Sequence, residues 1–282
     1  MVYYRSALAL AAVFLVAGAA SAQVPAVPGP PPGMRDDGMD RLTVGFGLGI
    51  APDYEGSDDY KLQPGGIFQG RVAGIDFQMR GLNLYTDVIR DAPGSRTRLV
   101  FGPVVQIRPE RSGSVRDPRV AALGTRKTAV ELGATAGIGF RGAVIPPASL
   151  NLDVTVLHDV AGAHRSLVVT PSLSLSSPVS RRSFARIGLS ADHVGRGYAA
   201  SYFAVAPGTI LPAYDPAGGG WKSAGVSLLY THDLGGDARK GLGGFVLING
   251  KRMLGRFADS PIVRDAGNAS QVFAVTGLSY AF

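Results

Sequence analysis

The feature that most constrains this chain is an alternation of apolar residues with small or polar ones, repeated in segments of about ten residues. In the first segment the even positions are apolar and the odd ones small: Leu42, Val44, Phe46, Leu48 and Ile50 against Thr43, Gly45, Gly47, Gly49 and Ala51. Because successive strand residues point to opposite faces, each segment predicts a strand with two different faces. The 39 glycines among 282 residues also disfavour long helices.

The repeated alternation predicts an all-β protein with twelve strands. We place them at 42–51, 60–70, 71–80, 82–89, 98–108, 128–140, 149–160, 166–176, 184–194, 221–232, 241–250 and 271–282. The apolar face changes from odd to even positions at Gly81, which fits a tight turn or a β-bulge. Ten strands are the alternative, if the region between Tyr60 and Ile89 pairs differently.

Strand length favours a protein that spans a membrane. Strands of soluble sandwiches have about 5–6 residues, whereas a tilted strand needs about 9–11 to cross a bilayer. After residue 22, no window holds the roughly 18 uninterrupted apolar residues of a spanning helix. Because every backbone polar group in hydrocarbon needs a hydrogen bond, we predict a closed transmembrane antiparallel β-barrel. A soluble sandwich or a lipocalin-like barrel is the alternative.

The first residues predict export. They combine an early arginine, an apolar run and small residues before Gln23: Arg5, 7–16 and Ala20-Ser21-Ala22. We predict a cleaved signal peptide over 1–22, with an N-terminal membrane anchor as the alternative. Residues 23–40 predict a Pro/Gly-rich periplasmic leader, and 41–282 the barrel.

The amino-acid composition limits the kinds of site and binding partner that the chain can have. The absence of cysteine excludes disulfides, thiolate metal sites and a lipoprotein anchor. An exported chain meets no cytoplasmic nucleic acid, so its net charge of +7 indicates anionic lipid, lipopolysaccharide or cell-wall polymer as partners.

The connections alternate in length. Short turns are expected near 142–147, 177–183 and 233–240, and longer ones at 109–127, 195–220 and 251–270. Outer-membrane barrels have short periplasmic turns, so both termini are expected in the periplasm of a Gram-negative cell. The loop after the fifth strand is basic, and either pairs with lipopolysaccharide phosphates or is simply solvated: Arg108, Arg111, Arg116, Arg119, Arg126 and Lys127. Three aromatic residues predict either an interfacial girdle or an internal plug: Tyr198, Tyr202 and Phe203.

Several motifs of the chain resemble one family. They are Gly47-Leu48-Gly49, Pro52-Asp53-Tyr54-Glu55-Gly56-Ser57, Tyr60, Glu131-Leu132-Gly133, Gly162, His164, Tyr202-Phe203, Gly218-Gly219-Gly220, Leu254-Gly255, Asp259-Ser260-Pro261-Ile262-Val263 and Gly277-Leu278-Ser279-Tyr280-Ala281-Phe282. Over residues 41–282 the chain resembles the MipA/OmpV family, outer-membrane proteins named for interaction with the lytic transglycosylase MltA. The final Tyr280 and Phe282 resemble the signal that the outer-membrane assembly machinery recognises.

The resemblance implies a non-catalytic scaffold between murein hydrolase and synthase, with porin-like or adhesive roles in some members. It marks nine positions: Pro52, Tyr54, Gly56, Ser57, Glu131, His164, Asp259, Ser260 and Pro261. From the residues themselves, we expect 52–57 to form an outward turn with Asp53 and Glu55 in water.

The polar residues offer two further hypotheses. Polar inward positions would suit a narrow channel for small solutes: Gln106, Glu131, Asn151, Asp153 and Arg186. A rim hydrolase would need His158, His164 and Asp192 to meet. The sequence has no nucleophile elbow, phosphate-binding loop or zinc-protease motif, so we expect no catalytic residue, cofactor or metal site.

Overall fold

The computed structural model describes residues 40–92, 94–142, 144–235 and 240–282. The predicted signal peptide, and the predicted leader apart from Asp40, lie outside the described residues. The strands are β1 (Arg41–Pro52), β2 (Tyr60–Val72), β3 (Ile75–Arg80), β4 (Asn83–Asp87), β5 (Thr97–Arg108), β6 (Ala129–Arg141), β7 (Ser149–Asp159), β8 (Leu167–Pro178), β9 (Ser183–Val194), β10 (Gly220–Asp233), β11 (Gly241–Met253) and β12 (Ser270–Ala281). Short helices lie in the connections: α1 (Pro118–Ala121), α2 (Arg196–Phe203), α3 (Gly255–Ala258) and α4 (Pro261–Arg264).

All twelve strands form one closed antiparallel barrel in chain order, in which β1 pairs with β12. The predicted fold and the count of twelve are thereby confirmed, and the ten-strand alternative is wrong. The predicted apolar faces point outward: Phe46 and Leu48 are 61% and 60% exposed. The described residues include no helix with the length and hydropathy needed to cross a membrane.

The first and last strands meet at paired glycines. Gly47 lies directly opposite Gly277 in the register of β1 and β12. A Cβ atom added to Gly47 would collide with the carbonyl oxygen of Thr276, and one added to Gly277 with that of Phe46. The two backbones therefore approach this closely only because neither residue carries a side chain.

The strands of the barrel wall are shortest in the hairpin of β3 and β4, which have 6 and 5 residues. The predicted boundary between residues 70 and 71 is wrong, because β2 continues to Val72 and the turn lies at Ala73 and Gly74, with φ of 52° and 79°. The outward face changes from even positions in β2 to odd positions in β3, but the inward Ile67 is also apolar and hides this change in the sequence. The change of face at Gly81 is a tight turn between β3 and β4, with φ of 55°.

Ion pairs inside the barrel join this short hairpin to its neighbours. Asp76 of β3 accepts hydrogen bonds from Arg71 Nη2 at 2.6 Å and Arg98 Nη2 at 3.0 Å. Arg98 Nη2 also donates to Asp87 of β4 at 2.8 Å, and Arg41 Nη2 of β1 lies 3.5 Å from Asp76. The cluster therefore links the five strands β1 to β5, where the backbone ladder is shortest.

Arg98→Gln is expected to lower the free energy of unfolding by about 1–2 kcal/mol, because Asp76 and Asp87 each lose a charged donor while Arg71 remains. Urea unfolding in detergent micelles measures the change. Arg96→Gln is the matched control, since Arg96 is exposed and forms no ion pair with a described residue. Equal stability of the two variants would show that the cluster contributes little.

The long connections share one end of the barrel. They span 109–128, 195–219 and 254–269 and contain all four helices. The connections after β2, β4, β6, β8 and β10 lie at the opposite end with both barrel termini. We call these the long-loop end and the short-turn end.

Candidate functional site

A plug, defined here as the turn 53–59 with α2, α3 and α4, packs inside the long-loop end. Tyr198 and Phe203 of α2, Phe257 of α3 and Val263 of α4 form one buried apolar cluster with the inner wall. The wall residues of this cluster come from five strands: Val104, Leu157, Val168, Val194 and Met253. Of the two predictions for the aromatic residues of α2, the internal plug is therefore correct.

Glu55 in the turn 53–59 is held by two lysines of the wall. Lys222 Nζ lies 2.6 Å and Lys251 Nζ 2.7 Å from Glu55 Oε1. The Tyr198 hydroxyl donates to Glu55 Oε2 at 2.7 Å. Burial raises the pKa of Glu55, but the charges of Lys222 and Lys251 outweigh it and keep that pKa well below its ordinary value. The turn is therefore joined to β10, β11 and α2 through an ionised carboxylate.

The expected outward turn is thus wrong, because Asp53 and Glu55 are only 2% and 8% exposed. Asp53 Oδ1 accepts a hydrogen bond from Lys61 Nζ at 2.8 Å, and Asp53 Oδ2 one from the backbone N of Arg116 at 2.7 Å. Asp53 is paired with the nearby Lys61 and Glu55 with lysines of distant strands, and these partners compensate both carboxylates for their loss of water.

A β-bulge directs Lys222 into the barrel. Trp221 pairs with His193 and Ser223 with Asp192, so Lys222 is the extra residue of β10. Trp221 is exposed on the outer face, whereas Lys222 and Ser223 are both buried. A bulge of this kind redirects a side chain, and here it brings an ammonium group to Glu55.

A second buried ionic group lies on the wall beside α2. Arg108 Nε and Nη2 donate to the two oxygens of Glu131 at 2.9 and 2.8 Å, and His164 Nε2 lies 2.8 Å from Glu131 Oε1. The Arg108 and Glu131 side chains are 1% and 0% exposed. This bidentate pair connects β5 to β6, and His164 brings in the connection after β7.

Tyr198 joins the two ionic groups. Its hydroxyl accepts hydrogen bonds from Arg108 Nη1 at 3.3 Å and from Lys222 Nζ at 3.2 Å, and donates to Glu55. Burial raises the pKa of the Tyr198 hydroxyl well above its ordinary value, so the group stays protonated. One continuous network therefore runs from β6 through α2 to β10 and β11.

The family-motif positions fall into two groups in the structure. Glu131 and His164 are bonded to each other, as described. In the other group, the Tyr54 hydroxyl donates to the carbonyl oxygen of Ala266, and Ser260 Oγ donates to the carbonyl oxygen of Phe203 at 2.7 Å.

The remaining motif positions lie in or beside the plug. The Gly56 carbonyl oxygen accepts the N–H of Asn268 at 2.8 Å, and that of Ser57 accepts Gln271 Nε2 at 2.7 Å. Pro52 ends β1, Asp259 follows α3 and Pro261 begins α4. The motif residues thus join the turn 53–59 to the connection between β11 and β12.

The basic loop after β5 directs its cations to acceptors within the chain. Arg111 Nη2 donates to the Tyr202 carbonyl oxygen at 3.1 Å, and Arg126 Nε to that of Ser201 at 2.9 Å. Arg116 Nη1 donates to Tyr60 O at 2.8 Å. Burial lowers the pKa of Arg111 to about 10. Most of the predicted lipopolysaccharide-binding cations therefore hold the connections together.

The residues of the rim-hydrolase hypothesis do not come together. His158 is exposed on the outer face. His164 is buried against Glu131, whereas Asp192 accepts hydrogen bonds from Thr170 Oγ1 at 2.8 Å and Ser223 Oγ at 3.2 Å. Among the described residues, no group of three His, Asp or Glu side chains is placed to hold a metal ion.

Lys222 and Lys251 were not predicted as partners of Glu55. One signal was available for Lys222. The exposed apolar residues of β10 change parity between Trp221 and Val226, and such a change within one strand indicates a bulge. Lys251 gave no such signal, because it simply occupies an inward position of β11.

A closed barrel with an apolar outer face, a polar inner face and a plug made of its own connections defines an outer-membrane β-barrel protein. The family model of the MltA-interacting protein MipA matches residues 44–282, so the chain belongs to the MipA family. No curated protein matches the chain.

Solved structures with a similar fold include three outer-membrane proteins. The anion-selective porin from Comamonas acidovorans has a TM-score of 0.36 and 10% identity, over 86% of this chain and 99% of that one. OmpT of Vibrio cholerae has a TM-score of 0.35 and 8% identity, over 86% and 97%. The Pseudomonas putida toluene transporter TodX has a TM-score of 0.35 and 9% identity, over 86% and 89%.

Proposed function

We propose that this protein is a non-catalytic outer-membrane scaffold that holds murein-processing enzymes, a hydrolase and a synthase, at its short-turn end. The plug inside the barrel is the structural feature that supports a non-catalytic, non-conducting role. Its ionic groups, Glu55 with Lys222 and Lys251 and Glu131 with Arg108, are buried and bonded to one another, which leaves them unavailable to a substrate or solute. The family description, an MltA-interacting protein, supports a murein enzyme as the partner.

The scaffold requires an orientation. We propose that the short-turn end and both termini face the periplasm, as in other outer-membrane barrels. The last residues suit insertion by the outer-membrane assembly machinery, because Tyr280 lies on the outer face and its ring packs 4.8 Å from that of Phe282. Outer-membrane lipid would contact the outer face, and lipopolysaccharide the long-loop end.

Co-purification tests the scaffold. The protein in detergent is expected to retain purified MltA on an affinity column at low salt, and a murein synthase is expected to join the same complex. An unrelated outer-membrane barrel of similar size is the control. Absence of MltA from the eluate at low salt would contradict the proposal.

A narrow channel is the competing function, favoured by inward polar residues such as Gln106, Asp153 and Arg186. Because α2 packs across the inner wall, we expect the intact protein to give no single-channel steps in a planar bilayer. A variant in which residues 196–203 are replaced by a Gly/Ser linker is the positive control, and steps are expected there. Stable steps from the intact protein would favour the channel over the scaffold.

A further inference from the structure

The exposed cations of the barrel are distributed unevenly between its two ends. At the long-loop end, most arginines are bonded to acceptors within the chain, as Arg111, Arg116 and Arg126 illustrate. At the short-turn end, a set of exposed cations forms no ion pair with any described residue: Arg141, Arg181, Arg182 and Lys240.

These unpaired cations lie on three consecutive turns. Arg141 ends β6, Arg181 and Arg182 form the turn between β8 and β9, and Lys240 immediately precedes β11. Because the strands are neighbours in chain order, the turns follow one another around the rim. We call the described residues of these turns, 141–142, 144–148, 179–182, 234–235 and 240, the basic arc.

The acidic groups described at the same end neutralise the arc only in part. Asp76 and Asp87 are buried in the cluster with Arg98, and Asp40 Oδ1 accepts the N–H of Ala73 at 2.9 Å. Asp233 Oδ1 accepts the N–H of Gly235 at 2.9 Å and keeps its charge, so one carboxylate stands beside the four cations of the described arc. The described part of the arc therefore presents positive charge to whatever faces it.

Exposed aliphatic side chains accompany the charges on the same turns. Val144 and Ile145 are each 58% exposed, Val179 is 64% exposed and Leu234 is 53% exposed. Exposed apolar patches mark interaction sites, and protein interfaces are enriched in arginine and depleted in lysine. This mixture favours a protein surface over a purely electrostatic contact with lipid headgroups.

The turns of the arc are ordered by their own backbone bonds. Gly142 N–H donates to Ala148 O at 2.6 Å, and Val179 N–H to Ser183 O at 2.9 Å. Asp233 N–H donates to Arg182 O at 2.8 Å and so joins two of the turns. A surface that is already ordered loses little conformational entropy when a partner binds.

We propose that the basic arc is the docking surface for the murein enzyme, and that the matching face of MltA is acidic with a few exposed apolar side chains. The inference rests on the proposed function and specifies where and by which chemistry the partner binds. Opposite charges across the interface speed association and make the affinity fall with salt.

Charge reversal at the arc tests the proposal. The protein and its variants are placed in phosphatidylcholine nanodiscs, which carry no anionic headgroups, and their Kd for purified MltA is measured at two salt concentrations. Arg181→Glu with Arg182→Glu is expected to raise Kd at least tenfold at low salt, and the affinity of the unchanged protein is expected to fall as salt rises. Both side chains are exposed and unpaired, so the barrel is expected to stay folded.

Arg165→Glu with Arg196→Glu is the matched control. These two arginines are also exposed but lie at the long-loop end, and their reversal changes the net charge by the same amount. The control variant is expected to bind MltA like the unchanged protein.

Three outcomes would overturn the proposal in different ways. If the unchanged protein binds MltA and reversal at the arc leaves Kd unchanged, the docking surface lies elsewhere and the scaffold function stands. If the unchanged protein does not bind MltA, the scaffold function fails and the inference fails with it. If reversal at either end weakens binding equally, net charge rather than the arc governs the interaction.

Discussion

Gly47→Ala is expected to prevent closure of the barrel, because the added methyl group would overlap the carbonyl oxygen of Thr276 in the neighbouring strand. The obstacle is backbone and not a flexible side chain, so relief requires β1 and β12 to separate. The cost is expected to reach the upper end of overpacking effects, about 3 kcal/mol or more. Gly277→Ala is expected to prevent closure in the same way, because its methyl group would overlap the carbonyl oxygen of Phe46.

The change of electrophoretic mobility on heating, by which folded barrels are distinguished from unfolded chains, measures this effect. We expect the folded band to be lost or sharply reduced for both variants. Gly250→Ala in β11 is the matched control, because an added Cβ there meets no atom within 4 Å. A full folded band for Gly47→Ala would show that the seam can widen at little cost.

Arg108→Met is expected to lower the free energy of unfolding by about 3–5 kcal/mol, the usual cost of leaving one member of a buried ion pair uncompensated. Glu131 would keep His164 but lose both guanidinium hydrogen bonds in a site without access to water. Tyr198 would also lose a donor, which weakens the contact between α2 and the wall.

The double variant Arg108→Met with Glu131→Gln separates charge from packing. It removes both charges, so it is expected to recover most of the stability that the single variant loses. Chemical unfolding in detergent can be followed through Trp221, the sole tryptophan of the chain. If the single variant is as stable as the unchanged protein, the ionic network does not hold the plug in place.

The strands show how much of the fold could be predicted from the sequence. Membrane strands must present an apolar face to lipid, so the period of two was visible throughout the chain and predicted both the barrel and its twelve strands. The turn at Gly81 was visible for the same reason, since it changes the parity of the apolar face. The turn at Ala73 and Gly74 also changes that parity, but it was missed because Ile67 places an apolar residue on the inward face of β2.

The plug shows what the sequence could not predict. A short acidic turn with Pro and Gly is ordinarily solvated, and nothing near Glu55 in the chain indicates otherwise. Its partners Lys222 and Lys251 lie 167 and 196 residues away, on strands that reach it only when the barrel closes. Likewise, the motif positions Glu131 and His164 were marked by resemblance, but their direct contact follows from the pairing of β6 with β7.

By itself, then, the sequence determined the elements, because the two faces of each strand meet lipid and lumen and each environment selects its own residues. Only the tertiary structure decided which connections enter the lumen and which charges meet there, because a buried ion pair depends on distance in space and leaves no periodic trace along the chain. The same holds for the cations of the short-turn end. Their number could be read from the sequence, but that they form no ion pair with a described residue became apparent only in the tertiary structure, where Asp76 and Asp87 pair with Arg98.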